Sequence, residues 1–307
     1  MINFADLSVS PLCLGTMYFG TSVPEATAIG LLDAAVAAGV TFIDTANKYA
    51  SWLPGGSGGE SERLLGRWLR SRGNRDALVL ATKIGLAMPG VPAGLNSRQI
   101  EAQCEACLQR LGTDRIDLLY AHADDRQTPL EETMQAFDRL LQAGKVRAIG
   151  ASNYSAWRLA QAQVAGPGRF VCLQVRHSLL RADPWLPQEF PVQVPATPEL
   201  LDCCRALEVT VLAYSPLLGG AYSREDRPLP LAYRTPANTA RLAAARRLAQ
   251  ARGITINQVV LAWLRAQGVT PVITGSRIEQ LTENLAVTGI HLDVAECAAI
   301  DEQDLRP

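Results

Sequence analysis

Asp44, Tyr49, Lys83 and His122 are the residues of this 307-residue chain whose types and placement point most directly to chemistry. In TFIDTANKYA, residues 41–50, a short apolar run ends in a carboxylate and a phenol follows five positions later. Lys83 closes the run LVLATK, and His122 closes IDLLYAH. A lysine turned into an interior needs a counter-charge, and Asp44 supplies one. An ammonium beside a phenol favours the phenolate, so the pKa of Tyr49 is expected to fall from ~10. A neutral His122 hydrogen-bonds a substrate oxygen without competing for the charge. Together the four form a proton-donating constellation suited to carbonyl reduction, in which an oxygen gains negative charge as hydride reaches its carbon. No side chain donates hydride, so a cofactor must. Each residue also has a plainer role: Asp44 capping its loop, Lys83 reaching to the surface, His122 packing in the core.

Such groups converge only if the chain delivers them to one rim. Apolar runs of strand length occur at 12–17, 41–44, 78–83, 116–122, 146–153, 171–175, 209–215 and 271–275. Between them lie helical patterns at 24–39, 61–73, 97–112, 130–144, 154–165, 198–207, 238–252 and 255–267, with apolar positions recurring at three and four. Ser61 is expected to cap the second helix and Gly73 to end it. Near-continuous apolar strands alternating with helices imply parallel strands buried on both faces, and eight of them close into a (β/α)8 TIM barrel. No G-x-G-x-x-G follows the first strand, which disfavours a doubly wound sheet. Residues 1–307 are expected to form a single barrel domain. In that architecture the active site lies at the C-terminal strand ends. Ser152, Asn153, Gln174, Tyr214 and Ser215 lie at those ends with the first four.

The composition is that of an ordinary globular protein, 48% hydrophobic and 19% charged, with a net charge of −1. That charge, with no basic run, points to neither nucleic acid nor a membrane surface. No stretch approaches the ~20 apolar residues of a membrane span. The N-terminal residues lack a basic start and an apolar signal core, so a cytoplasmic location is expected. Seven scattered cysteines fit a reducing compartment. Cys104 and Cys107 match a redox dithiol formally, but their i, i+3 spacing on a helix reads as two packed thiols. No pair among the three histidines has zinc-ligand spacing, so no metal is expected. The Gly-rich PGGSGGES (54–61) lacks the Lys-Ser/Thr of a phosphate loop and reads as a flexible connection. The long connection at 217–238 reads as a cover over the barrel mouth.

These residues resemble the aldo-keto reductases across essentially the whole chain. The resemblance rests on LGTM (14–17), FIDTANKY (42–49), ATK (81–83), RIDLLYAH (115–122), IGASNYS (149–155), LQV (173–175), LAYSPL (212–217) and ITGSRIEQLTEN (273–284). It implies a TIM barrel and a catalytic tetrad of Asp44, Tyr49, Lys83 and His122. Tyr49 would be the proton donor in reduction and the base in alcohol oxidation. It also implies an extended nicotinamide cofactor, NADPH/NADP+ ahead of NADH. By position, Ser152, Asn153 and Gln174 would bind the carboxamide and Tyr214 would stack on the ring. Ser215, Pro216 and Leu217, followed by Gly219, match the loop over the pyrophosphate. Ser276, Arg277, Gln280, Glu283 and Asn284 match the segment around the 2′-phosphate and adenine, where an arginine favours NADP. Gly15, Thr16, Met17, Asp44, Thr274 and Gly275 complete the implied cofactor set.

Two substrate-side candidates stand beside this set: Trp52, as an apolar wall or simply an exposed loop residue, and His177, for which a packing role is the favoured alternative. Met88, Trp185 and Tyr222 are further candidates for a partly aromatic pocket. The short N-terminal stretch is expected to leave only a reduced floor hairpin. The expected activity is reduction of a small-molecule aldehyde, ketone or sugar-like carbonyl by a monomer or small homo-oligomer. The alternatives are a cofactor-binding sensor or subunit with little turnover, and a lyase forming a Schiff base on Lys83.

Overall fold

The structure, a computed structural model, describes residues 2–4, 6–183, 185–186 and 192–302. An antiparallel hairpin of β1 (Ile2–Phe4) and β2 (Leu7–Val9) precedes the barrel. The barrel strands are β3 (Cys13–Gly15), β4 (Phe42–Asp44), β5 (Val79–Ile84), β6 (Ile116–Ala121), β7 (Val146–Ser152), β8 (Phe170–Arg176), β9 (Thr210–Tyr214) and β10 (Thr270–Ile273). All pair in parallel, and β10 closes the ring between β9 and β3. The helices are α1 (Glu25–Ala37), α2 (Glu60–Arg72), α3 (Ser97–Leu111), α4 (Leu130–Gln142), α5 (Ala156–Ala162), α6 (Pro198–Ala206), α7 (Pro236–Arg252), α8 (Ile256–Ala266), α9 (Ile278–Leu285) and α10 (Val294–Asp301). The TIM barrel expected from the alternation of strands and helices is therefore the fold observed.

Strand side chains alternate between two cores, as the period of two requires. Cys13, Phe42, Val79, Ala81, Leu118, Tyr120, Ala148, Cys172, Leu212 and Val272 fill the barrel. Their neighbours Leu14, Ile43, Leu80, Leu119, Ile149, Leu173, Val211 and Ile273 face the helical layer instead. Leu7 and Val9 of the hairpin join the inner cluster and plug its base, and the floor element is a short hairpin of two three-residue strands.

Local signals explain most helix ends. Asn96 accepts from Gln99 N at 3.0 Å to start α3, and left-handed Gly112 ends it. Thr255 and Gln258 form a capping box on α8. The start of α2 differs from expectation: Gly59 is the cap, at φ 79°. Ser61 lies inside the helix, buried, donating to Thr16 O at 2.9 Å and accepting from Thr45 Oγ1 at 3.0 Å. It ties three site-bearing segments together rather than capping one. Helices α9 and α10 have no counterpart in the periodicity reading. Cys104 and Cys107 are fully buried on α3; burial, then Glu105 and Glu62 respectively, pushes their thiols up, so they pack and do not serve as a redox pair. Among the described residues no helix is long and apolar enough to cross a membrane.

Candidate active site

One step beyond the barrel's apolar filling, the inward positions turn polar. Asp44 follows Phe42 on β4, Lys83 follows Ala81 on β5, and His122 follows Tyr120 just past β6. Ser152, Gln174 and Tyr214 hold the same inward parity on β7, β8 and β9. Polar strand ends therefore converge because they continue the rows that fill the barrel.

Lys83 is fully buried and directs all three N–H donors into the site. It donates to Asp44 Oδ2 at 2.5 Å, Thr45 O at 2.9 Å and Tyr49 Oη at 3.0 Å. Gln174 Nε2 donates to the other carboxylate oxygen, Asp44 Oδ1, at 3.0 Å. Burial opposes the ammonium charge, but Asp44, then Tyr49, and the hydrogen bonds to both hold the Lys83 pKa above that of an ordinary lysine. A Schiff-base lysine needs the opposite shift. The surroundings of Lys83 thus favour its cationic form over a free amine.

For Tyr49 the expected direction is overturned. Lys83 does favour its phenolate, but burial outweighs it and, with Asp44 adding, pushes the phenol up to about 12. Tyr49 is thus a neutral acid whose oxygen already accepts from Lys83. His122 lies edge-on to it, ring centroids 6.3 Å apart, and its Nδ1 is buried without a hydrogen bond among the described residues. Burial, then Lys83 and Lys48, pushes the imidazole well below its ordinary pKa, leaving a neutral donor. This arrangement can deliver a proton to a developing alkoxide and stabilise the phenolate left behind.

Asn153 follows β7 in a left-handed conformation, φ 56°. Its Nδ2 donates to His122 O and Ser152 Oγ, both at 3.0 Å, and its Oδ1 accepts from Tyr214 Oη at 2.8 Å. This chain fixes the Tyr214 ring, leaves Ser152 Oγ its own proton and leaves Gln174 its Oε1. A carboxamide, which both donates and accepts, finds its complement in that pair of groups. Ser215, Leu218, Gly219 and Gly220 all lie at positive φ in the turn after β9, with Pro216 and Leu217 between them. Gly15 pairs with Asp44 on β4, and partly exposed Met17 lies beyond it. Thr16 is already engaged: its Oγ1 donates to Asp44 O at 3.0 Å and meets Ser61 Oγ at 2.8 Å.

Past β10, Thr274, Gly275 and Ser276 lead into α9. Ser276 N and Oγ donate to Gln280 Oε1, at 3.0 and 3.1 Å. Asn284 reaches back to Thr274 O at 3.3 Å, and Glu283 accepts from Thr255 and Asn257. Arg277, at the α9 cap, is exposed; its backbone carbonyl accepts from Leu281 N at 3.3 Å, and its guanidinium makes no hydrogen bond or ion pair among the described residues.

The substrate-side expectations divide. Trp52 is 47% exposed and edge-on to Tyr49 at 6.2 Å between centroids, where a wall is needed. His177 follows Arg176 with outward parity and packs on Trp263 of α8 at 5.7 Å, the packing alternative. Tyr222 is buried, its hydroxyl bound to Leu180 N and Ser178 Oγ, which removes it from the pocket, and Trp185 is 92% exposed. Met88 lies partly exposed in the β5 loop, bridged to Val91. Residues missed in the sequence are Thr45, whose backbone carbonyl anchors Lys83, and Arg176, inward two positions beyond Gln174, which donates to Gln193 Oε1 at 2.8 Å. Parity would have found Arg176; nothing in a side-chain reading marks a carbonyl.

Comparison with known proteins agrees with this geometry. Residues 11–304 match the family described as the aldo/keto reductase family. The chain is 35% identical to the uncharacterized oxidoreductase YrpG of Bacillus subtilis, covering 94% of this chain and 90% of that protein. It is 34% identical to norsolorinic acid reductase stcV of Emericella nidulans, covering 97% and 79%. The solved structure of the thermostable aldo-keto reductase Tm1743 in complex with the inhibitor epalrestat superposes with a TM-score of 0.76 at 29% identity, covering 96% and 95%.

Proposed function

The chain belongs to the aldo/keto reductase family, NAD(P)-dependent oxidoreductases acting on small-molecule carbonyl compounds, and from that premise we propose that it reduces an aldehyde, ketone or sugar-like carbonyl with NADPH, Tyr49 giving the proton. The observation that carries this reading is the Tyr49 hydroxyl, which accepts from Lys83 at 3.0 Å and keeps its own proton for the substrate. When bound, the nicotinamide supplies the hydride. Ser152 and Gln174 would hold the carboxamide, and Tyr214 would support the ring. His122 donates to the carbonyl oxygen and orients it toward Tyr49. As negative charge grows there, Tyr49 passes over its proton and Lys83 stabilises the phenolate. Asp44 keeps Lys83 charged, and Gln174 keeps Asp44 in place.

Preference for NADPH is assigned to Arg277, the exposed guanidinium at the α9 N-terminus, where helix dipole and forked geometry both suit a phosphate. Ser276, already bonded to Gln280, is the weaker candidate. Trp52 forms the apolar wall beside the reacting centre. The test is consumption of NADPH, and separately of NADH, against aromatic and aliphatic aldehydes, ketones and sugars. NADPH-linked turnover of at least one carbonyl class supports the proposal; a folded protein that binds neither cofactor overturns it.

A further inference from the structure

Three adjacent strands place Lys83, Tyr120 and Gly150 directly beside one another. Lys83 on β5 is the register partner of Tyr120 on β6, which is the partner of Gly150 on β7, followed by Cys172 on β8. All four face the barrel interior, and Tyr120 is fully buried. Its ring centroid lies 5.6 Å from Lys83 Nζ, inside the range where an aromatic face attracts a cation. The ring has room because position 150 carries no side chain. A Cβ there would sit 2.8 Å from Tyr120 Cδ1 and Cε1 and from Cys172 Sγ. The Tyr49 ring lies 5.0 Å from the same ammonium, so two phenol rings flank it.

A buried ammonium has lost the water that would solvate it. Its three N–H donors meet Asp44, Thr45 and Tyr49, and the rest of its surface meets protein. We infer that Tyr120 is a positioning residue for the reaction: the face of its ring stabilises the Lys83 ammonium and thereby sets how readily Tyr49 gives up its proton. This rests on the reading of Tyr49 and Lys83 as proton donor and stabilising cation. It differs from a packing role because it depends on the electron density of the ring as well as its shape.

The experiment replaces Tyr120 in the full-length protein by phenylalanine, 3,5-difluorophenylalanine and pentafluorophenylalanine, introduced by nonsense suppression. The series removes ring charge density stepwise at nearly constant volume. The readouts are kcat, KM and the pH profile of kcat for carbonyl reduction, with Tyr49→Phe as the control. Tyr120→Phe, which keeps the aromatic face and loses only the hydroxyl, is the reference for the series. Increasing fluorination is expected to lower kcat progressively, by about 5- to 30-fold in all. The alkaline limb should move to higher pH, since a phenol beside a less stabilised ammonium holds its proton more tightly, while the carbonyl KM stays within about twofold. A pentafluoro variant with an unshifted alkaline limb overturns the inference, because a structural role would depend on shape alone. If Tyr49→Phe retains full activity, the reading beneath it fails as well, a result distinct from a flat fluorination series over an inactive Tyr49→Phe.

Discussion

Lys83 donates to the Tyr49 hydroxyl at 3.0 Å while its other two protons go to Asp44 and the Thr45 carbonyl. The direction of that bond matters. A phenol that accepts from a cation keeps its own O–H for another acceptor, and the cation is already in place to receive the charge left by proton transfer.

Lys83→Met removes that cation and leaves a buried Asp44 with Gln174 as its remaining side-chain hydrogen-bond partner. Breaking a buried pair this way is expected to cost about 3–5 kcal/mol of stability. The loss of transition-state stabilisation should lower kcat by at least ~10²-fold. Urea unfolding and steady-state assays on the same preparation check both; a fully active Lys83→Met would remove the lysine from the mechanism.

Arg277→Ala should weaken NADPH and leave NADH nearly unchanged. A charged hydrogen-bonding contact contributes about 1.5–3 kcal/mol, so the Kd for NADPH should rise by roughly 10-fold or more. Quenching of tryptophan fluorescence in parallel titrations separates the cofactors. Equal losses for both would place the 2′-phosphate elsewhere.

His177 makes a pH prediction unrelated to turnover. Burial, then Arg181 and Arg241, pushes its native pKa down to about 4 from 6.5. Below 6.5 the unfolded chain binds a proton that the native state refuses, so this residue makes stability fall as pH drops from 6.5 to 4, levelling below that. The shift corresponds to about 3 kcal/mol. His177→Phe keeps an aromatic ring against Trp263 and cannot titrate, so its urea midpoint should fall less between pH 7 and 4 than that of the unmodified protein. Identical pH dependence would mean that His177 is not held neutral.

Gly150→Ala should disturb the site from beneath. Its new methyl would lie 2.8 Å from the Tyr120 ring and from Cys172 Sγ, in a barrel with no slack. Overpacking of this kind costs about 1–3 kcal/mol. Thermal unfolding should register that loss, and kcat should fall with it as the ring beside Lys83 is displaced. A substitution neutral in both would show that the interior yields freely there.

Much of this site could be read from the chain because inward strand positions in a barrel alternate with outward ones. Once the runs ending at Asp44, Lys83 and His122 were placed as parallel strands, their convergence followed from topology. The same parity accounts for His177, which is outward because Gln174 and Arg176 are inward. What the sequence hid depended on three-dimensional contacts. Thr45 acts through a carbonyl that every residue has. Ser61 looked like a helix cap because its hydroxyl could serve one, yet it meets Thr16 and Thr45, residues far from it in sequence. The raised pKa of Tyr49 escapes the sequence because its lysine neighbour is visible there and the burial that outweighs it is not.

The central claim is that Tyr49 delivers the proton, and Tyr49→Phe tests it most directly because only the hydroxyl is lost. Carbonyl reduction by this variant should be measured beside NADPH binding followed by tryptophan fluorescence. The account predicts turnover reduced by at least ~10²–10⁴-fold with cofactor affinity near that of the unmodified protein. Near-normal turnover with the phenylalanine in place would contradict it and move the proton donor to another group.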